Sequence, residues 1–212
     1  MAKSIGILGG TFDPVHIGHL RLGVEVREQF DLEEVRFIPL NIPPHRPSPV
    51  AGGKHRCNML QEAIRDLHGF VVDDREINRD GVSWTIDTVR SLRSDYPHQP
   101  LCLLIGEDAF ATLDSWRSWQ QLTDFVHIIL AGRPLDQLIE YSPQVRAFYD
   151  THVVPASDMP GERLCGRICR AEMPLLNISS TRLRQLYAGG RSTDFLVPAG
   201  VHEYILSHKL YT

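Results

Sequence analysis

Short apolar runs alternate with amphipathic segments along most of the chain, and the two patterns predict different elements. Runs of strand length occur at residues 4–9, 35–39, 70–73, 101–105, 126–131 and 167–173. Apolar residues at helical spacing mark residues 17–30, 54–67 and 143–150, a segment through Ile86, Val89 and Leu92, a segment after Ser180 and one after Pro198. Buried runs that alternate with helices are typical of a parallel sheet covered by helices. We therefore predict an α/β fold, a doubly wound, mostly parallel sheet with helices on both faces.

Individual residues predict where some of these elements begin and end. Ser83 or Thr85 is expected to cap the helix that follows it, because both side chains can accept a hydrogen bond from a free helical N–H. The proline-rich segment 41–49 can form neither a helix nor a central strand, so it is expected to be a loop. Between residues 135 and 165 only the helix at 143–150 is predicted.

Length and composition are typical of one globular domain. The chain has 212 residues, of which 42% are apolar and 23% charged, and no linker or repeat divides it, so we expect a single domain over 1–212. Its net charge of −4 gives no broad basic surface, and no nucleic-acid partner is expected. The first residues lack an apolar signal segment, and no apolar run approaches the roughly 20 residues of a membrane span. We therefore expect a soluble cytoplasmic protein with no membrane partner.

The four cysteines have different surroundings in the sequence. Cys57 lies on the apolar side of a helical pattern and Cys102 lies inside an apolar run, so both are predicted to be buried thiols. Cys165 and Cys169 are four residues apart, which is not the CxxC spacing of a redox or zinc pair. A disulfide or metal site there is disfavoured.

The most informative segment, Gly9–His19, lies between the first predicted strand and the first predicted helix. A helix that begins after a glycine-rich turn directs unpaired N–H groups and the positive end of its dipole toward that turn, and such an arrangement binds phosphate. His16 and His19 can donate hydrogen bonds to that phosphate, and Gly18 would let a ligand come close. The segment matches neither a Walker A loop nor the GxGxxG pattern. It therefore favours nucleotidyl or phosphoryl transfer over a P-loop NTPase or a hydride-transfer enzyme.

Two other interpretations of this segment remain. The glycines could form a tight turn with no ligand. Alternatively, His16 and His19 could bind zinc with a further ligand such as His45, although the chain has no HExxH or similar pattern.

Polar residues and glycines also follow other predicted strands. Asn41–His45 follows the second strand, Gly106–Asp108 the fourth and Arg133 the fifth. Ligands of open parallel sheets bind beyond the carboxyl ends of the strands, where the strand order reverses. We therefore expect these segments to contribute to one site.

Two segments resemble known family signatures. Gly9–His19 (GGTFDPVHIGH) is similar to the first signature of the nucleotidyltransferase α/β-phosphodiesterase superfamily, G-T-F-D-P-x-H-x-G-H, and Ile178–Arg184 (ISSTRLR) is similar to the second, I-S-S-T-x-x-R. Over nearly its whole length, and least over 135–165, the chain resembles the bacterial nicotinate-nucleotide adenylyltransferase family. The further residues that support this are Pro43-Pro44-His45, Trp84-Thr85, Ile105–Asp108, Trp116 and Arg133. The resemblance implies a Rossmann-like fold.

The resemblance also implies a reaction and the residues that carry it. The phosphate of nicotinate mononucleotide would attack the α-phosphorus of ATP in line, and pyrophosphate would leave without a covalent enzyme intermediate. His16 and His19 would contact the ATP phosphates as catalytic residues, and catalytic Arg184 would bind the β- and γ-phosphates. The other ATP-binding residues that it implies are Gly9, Gly10, Thr11, Phe12, Gly106, Asp108, Arg133, Ser179 and Ser180. Mg²⁺ is the expected cofactor, bound mainly through the ATP phosphates and water rather than through a carboxylate cluster.

The second substrate needs a flat apolar surface for its pyridine ring and hydrogen-bond donors for its carboxylate. Trp116 is expected to stack on the ring, and the backbone N–H groups and hydroxyl of Trp84-Thr85 to bind the carboxylate. Asn41 and His45 complete the expected nicotinate mononucleotide site. The alternative is that Trp84, Trp116 and Trp119 are all core residues, since aromatic side chains are often buried.

Several other functions share part of this pattern. Pantetheine-phosphate adenylyltransferases and cytidylyltransferases share the first signature but usually lack Pro-Pro-His and the aromatic-threonine pair. Class I aminoacyl-tRNA synthetases share His-x-Gly-His, but they are far longer and have a lysine-rich second signature. A nucleotide-sensing module could keep the pocket without turnover, although it would not need His16, His19 and Arg184 together, because a sensor needs affinity rather than transition-state complementarity.

Overall fold

The computed structural model describes residues 3–42, 48–79, 81–132, 139–172 and 176–212. The strands are β1 Ile5–Gly10, β2 Glu34–Pro39, β3 Phe70–Val72, β4 Leu101–Gly106, β5 His127–Gly132 and β6 Ile168–Glu172. The helices are α1 Ile17–Gln29, α2 Gly53–Ile64, α3 Thr85–Asp95, α4 Glu107–Phe110, α5 Pro143–His152, α6 Ser180–Ala188 and α7 Ala199–Ser207, with 3₁₀ turns at Leu113–Ser115, Trp119–Asp124 and Ala156–Asp158.

The six strands form one sheet in the order β3-β2-β1-β4-β5-β6. Strand β4 pairs in parallel with β1 and β5, and β5 pairs in parallel with β6. This is the order of doubly wound nucleotide-binding sheets, in which the order reverses after β1. The predicted Rossmann-like α/β fold is therefore confirmed.

The predicted strands and long helices all occur, with boundaries that differ by at most a few residues. The short helix α4 and the 3₁₀ turns were not predicted. The predicted cap of α3 was wrong, because Trp84 is the N-cap in an extended conformation and no side chain caps this helix. The Ser83 hydroxyl instead accepts a hydrogen bond from the backbone N–H of Asn41 at 3.1 Å.

The chain divides into two compact units, each assembled from separate segments. Unit 1 contains residues 1–8, 25–35 and 84–174, and unit 2 contains residues 9–24, 36–83 and 175–212. In the part of the chain that the structure describes, no helix is long and apolar enough to cross a membrane.

The core of unit 1 is formed by β4, β5 and β6, and it contains a buried histidine. His127, at the start of β5, is fully buried, and its Nε2 lies 2.9 Å from the carbonyl oxygen of Arg163. Its Nδ1 accepts a hydrogen bond from the backbone N–H of Arg167 at 3.2 Å. Burial lowers the pKa of His127 to about 4, so the ring is neutral at pH 7 and carries its proton on Nε2.

In unit 2, helices α2 and α7 pack together, and both contain buried apolar residues, such as Leu60 on α2 and Ile205 on α7. The hydroxyl of Tyr204 on α7 lies 2.9 Å from Nδ1 of His55 and accepts a hydrogen bond from Nδ2 of Asn58 at 2.9 Å. In the chain as a whole, the two thiols predicted to be buried, Cys57 and Cys102, are buried as expected, and all four cysteines are free.

Candidate active site

Strand β1 ends in the glycine-rich turn that the sequence singled out. A Cβ at Gly9 would meet no atom within 4 Å, whereas one at Gly10 would lie 2.9 Å from the Phe12 ring. Phe12 has a positive φ of 50° and is 1% exposed. Its ring packs 5.8 Å from that of Phe37, centroid to centroid. Its side chain therefore belongs to the core of unit 2, and only its backbone remains for the predicted contact with ATP.

His16 and His19 form a stacked pair at the start of α1. Their ring centroids are 3.6 Å apart with planes 21° from parallel, and the His16 backbone N–H donates to Nδ1 of His19 at 3.3 Å. A Cβ at Gly18 would lie 3.0 Å from Nδ1 of His16. The sequence interpretation explained Gly18 by the approach of a ligand, and the nearby His16 ring is a further reason for a small residue at this position.

Both histidines are neutral at pH 7. Burial lowers the pKa of His16 to about 4. Burial and then the neighbouring His16 lower the pKa of His19 well below its ordinary value. Because Nδ1 of His19 accepts a hydrogen bond, its proton lies on Nε2. Nδ1 of His16 is buried and has no hydrogen-bond partner among the described residues, which is costly unless a ligand supplies one.

The second signature segment contacts the first directly, within unit 2. Ser179 caps α6 by accepting a hydrogen bond from the Arg182 N–H at 3.2 Å, and the Ser180 hydroxyl donates to the Pro14 carbonyl at 2.9 Å. Arg184 donates to the Asp13 carbonyl at 2.7 Å and to the Thr181 hydroxyl at 3.2 Å. The two signatures therefore form one cluster around the turn.

Two charged residues that the sequence interpretation did not assign to the site, Arg56 and Asp13, hold the turn in place through hydrogen bonds. Arg56 on α2 is 1% exposed, and its guanidinium donates to the carbonyls of Ala51 at 3.1 Å and Thr11 at 2.7 Å. The carboxylate of Asp13 accepts from the N–H of Val50 at 2.8 Å and of Ala51 at 3.0 Å. Burial lowers the pKa of Arg56, and Asp13 opposes that effect. The sequence hinted at a buried Arg56 only through its neighbour Cys57, which was predicted to lie on the apolar side of this helix.

The Gly106–Asp108 segment lies in unit 1 at the carboxyl end of β4. Gly106 and Asp108 are exposed, whereas Glu107 is buried and forms an ion pair with Arg170 at 2.7 Å. A Cβ at Gly132 would lie 2.9 Å from Oε2 of Glu107, so this carboxylate is packed against β5. Asp108 can reach a ligand, while Glu107 anchors the start of α4. Arg133 lies outside the described residues.

The predicted pyridine-binding residues also lie in unit 1. Trp84, Thr85 and Trp116 are all half-buried, and so is Trp119, whose ring packs edge-on against Phe148 at 5.0 Å. The alternative that the three tryptophans are core residues is therefore wrong. The guanidinium of Arg117 lies 5.6 Å from the centroid of the Trp84 ring.

Asn41, in unit 2, is fixed by hydrogen bonds of its backbone and its side chain. Its Nδ2 donates to the carbonyl oxygen of Arg79 at 3.1 Å. His45 and the prolines before it lie outside the described residues. Among the residues that the structure describes, no three His, Cys, Asp or Glu side chains are grouped to bind a metal.

Comparison with known proteins places the chain in a family. Residues 7–186 match the family model described as Cytidylyltransferase-like. A protein of Aeromonas salmonicida named "Probable nicotinate-nucleotide adenylyltransferase" is 42% identical over 207 residues, 98% of this chain and 96% of the relative. Proteins of the same name from Aeromonas hydrophila and Methylococcus capsulatus are 44% and 42% identical, covering 98% of this chain and 96% and 99% of the relatives.

Solved structures share the fold at low sequence identity. A Plasmodium falciparum nicotinic acid mononucleotide adenylyltransferase complexed with NaAD superposes with a TM-score of 0.75 at 17% identity, covering 99% of this chain and 97% of that one. The same protein complexed with APC gives a TM-score of 0.72 at 16% identity, covering 99% and 97%. At these identities the likeness supports the fold alone.

Proposed function

Since the chain belongs to the Cytidylyltransferase-like family and, within it, to the nicotinate-nucleotide adenylyltransferases, we propose that it transfers the adenylyl group of ATP to nicotinate mononucleotide. The products are nicotinate adenine dinucleotide and pyrophosphate, and the reaction is a step of NAD biosynthesis. One observation supports this most strongly, namely that Arg184 and Ser180 of the second signature bond the carbonyls of Asp13 and Pro14 in the first. We propose that 1–212 acts as one catalytic domain.

Catalysis in this proposal is positioning and charge stabilisation. A phosphate oxygen of nicotinate mononucleotide forms a bond to the α-phosphorus of ATP as the bond to the pyrophosphate oxygen breaks. Negative charge develops on the transferred group and on the leaving pyrophosphate. His19 donates from Nε2 to the α-phosphate, His16 binds beside it, and Arg184 binds the β- and γ-phosphates. Neutral imidazoles suit this role, since they donate hydrogen bonds while the stacked pair avoids two like charges.

Backbone groups complete the phosphate site of unit 2. The N–H groups of Gly9, Gly10 and Thr11 line it at the end of β1, and the backbone of Phe12 continues it. The start of α6, capped by Ser179, directs its N–H groups at the same phosphates. Mg²⁺ is the proposed cofactor, and it would supply positive charge at the ATP phosphates without a carboxylate cluster of the protein to hold it. No group of carboxylates among the described residues forms a separate site for it.

The remaining residues select the two nucleosides. We assign Asp108 and Gly106 to the adenosine ribose and Arg133 to the nucleotide of ATP. Trp116 stacks on the pyridine ring, and Thr85 with the uncapped start of α3 binds the nicotinate carboxylate. Asn41 and His45 contact the mononucleotide. The four free cysteines are usual for a reducing compartment and support the proposal that the reaction occurs in the cytoplasm.

A pyrophosphate-release assay tests the function. Purified protein with ATP, Mg²⁺ and nicotinate mononucleotide should release pyrophosphate and form the dinucleotide in equal amounts. Two other substrate pairs test the related transferases, namely ATP with pantetheine phosphate and CTP with choline phosphate. Neither pair should give pyrophosphate release. ATP binding by calorimetry without any turnover would instead indicate a nucleotide sensor.

A further inference from the structure

A tyrosine far along the chain contacts the phosphate-binding turn. The hydroxyl of Tyr211 donates a hydrogen bond to Oδ1 of Asp13 at 2.7 Å, although 198 residues separate them in sequence. The two residues are 9% and 3% exposed. The contact is therefore a buried one, made to a residue of the first signature rather than to solvent.

The backbone around Tyr211 adopts an unusual conformation. Tyr211 has a φ of 65° and Lys209 a φ of 51°, in the left-handed region that residues other than glycine seldom occupy. Such conformations persist where surrounding contacts hold them, and they cluster at functional sites. Tyr187 of α6 provides one such contact, with its ring 6.1 Å from that of Tyr211. The hydrogen bond from the Tyr211 hydroxyl to Asp13 is a second such contact, and it is polar.

Asp13 connects that hydroxyl to the catalytic groups. Its Oδ2 lies 3.7 Å from the guanidinium of Arg184, and its carbonyl oxygen accepts a hydrogen bond from the same guanidinium at 2.7 Å. Three residues further along the turn lies His16. A shift of the Asp13 side chain would therefore move both the carbonyl that holds Arg184 and the backbone that leads to the histidines.

We propose that Tyr211 is a positioning residue for adenylyl transfer, which acts by fixing Asp13 and, through it, the turn and Arg184. Burial and the adjacent Asp13 raise the pKa of Tyr211, so its hydroxyl stays protonated and remains a donor at physiological pH. Misplacement of a catalytic group lowers the rate more than substrate affinity, because alignment matters most in the transition state. This inference rests on the proposed function.

The test compares two tyrosine-to-phenylalanine variants. Tyr211→Phe removes the hydroxyl and keeps the ring, and Tyr204→Phe removes a hydroxyl that bonds His55 and Asn58 instead. For Tyr211→Phe we expect kcat to fall about tenfold, with KM for both substrates within about twofold of wild type. Tyr204→Phe should keep the wild-type kcat. Rates are expressed per folded molecule, quantified by circular dichroism, so that partial unfolding cannot imitate the effect.

A double-mutant cycle with Arg184→Lys distinguishes positioning from general stabilisation. If Tyr211 acts through Arg184, the fold-decrease in kcat of the double variant should be smaller than the product of the fold-decreases of the two single variants. A wild-type kcat in Tyr211→Phe, or losses that multiply, would overturn the inference. A wild-type protein that releases no pyrophosphate would contradict the proposed function and this inference with it, whereas an unaffected variant beside an active wild type would contradict this inference alone.

Discussion

The guanidinium of Arg184 donates a hydrogen bond to the backbone carbonyl of Asp13 at 2.7 Å across 171 residues of sequence. A second nitrogen of the same guanidinium donates to the Thr181 hydroxyl at 3.2 Å. These two contacts hold the cation beside the glycine-rich turn at which we place the ATP phosphates. A charged group that is already in place needs little rearrangement as charge develops in the transition state.

Replacing Arg184 should therefore affect turnover strongly. We expect Arg184→Ala to lower kcat/KM for ATP by ~10²-fold or more, since it removes the cation proposed for the β- and γ-phosphates. Arg182→Ala is the matched control, because Arg182 lies on the same helix with its side chain exposed. Equal losses in the two variants, measured by pyrophosphate release, would remove Arg184 from the mechanism.

His19→Ala should lower kcat by ~10²-fold or more and leave ATP affinity nearly unchanged, as expected for the loss of a contact made mainly in the transition state. Because His19 is already neutral at pH 7, the loss should be of similar size from pH 6.5 to 8. His98→Ala, which changes an exposed histidine, is the control. Near-normal turnover in His19→Ala, or an equal loss in the control, would contradict the assignment.

Local patterns predicted the fold and the position of the main turn. The apolar runs of β4 and β5 are buried almost throughout, and a buried parallel strand has the least ambiguous sequence pattern. Gly9 to His19 combines glycines, a strand before it and a helix after it, so the turn could be placed without tertiary information. The 3₁₀ turn at Leu113–Ser115 has only three residues, too few for a periodicity.

The supporting contacts of the turn could not be predicted in this way. Asp13, Arg56 and Tyr211 meet only because the folded backbone brings distant segments together, and no spacing in the sequence encodes those distances. The same holds for the neutral state of His16, because its low pKa is caused by burial. Gly18 shows what a local interpretation leaves out, since the His16 ring, 3.0 Å from a Cβ placed there, is a second reason for a small residue that only the folded structure reveals.

We predict that one further residue, Arg117, affects the choice between the acid and the amide of the pyridine substrate. Arg117 lies over the ring of Trp84, the residue that precedes α3 and its proposed carboxylate site. A nearby cation favours a carboxylate over a neutral carboxamide. We expect Arg117→Gln to lower the kcat/KM ratio of nicotinate to nicotinamide mononucleotide about threefold, a size typical of an exposed charge pair.

Parallel rate measurements with the two mononucleotides test this expectation. Arg90→Gln is the control, because Arg90 is an exposed arginine on α3 that lies 3.8 Å from the carboxylate of Asp87. A ratio that is unchanged in Arg117→Gln, or lowered equally in Arg90→Gln, would show that α3 and Trp116 select the acid without Arg117.

The buried histidine of β5 should make the folded state sensitive to acid. The pKa of His127 is about 4 in the folded protein against an ordinary value of 6.5, so between these values the unfolded chain binds a proton that the folded chain does not. The contribution of the neutral His127 to the free energy of unfolding is therefore complete above pH 6.5 and is lost as the pH falls toward 4. From pH 7.5 to pH 5, His127 should lower the free energy of unfolding by about 2 kcal/mol.

Urea unfolding of wild type and His127→Gln at the two pH values measures this contribution. The variant should be less stable at pH 7.5, because it disturbs the bonds to Arg163 and Arg167, but it should lose about 2 kcal/mol less than wild type on acidification. His16 and His19 also have lowered pKa values, and their acid sensitivity is present in both proteins and cancels in the comparison. His127→Asn provides a second, smaller substitution for the same measurement. Equal losses on acidification in wild type and both variants would show that His127 does not stay neutral in the folded protein.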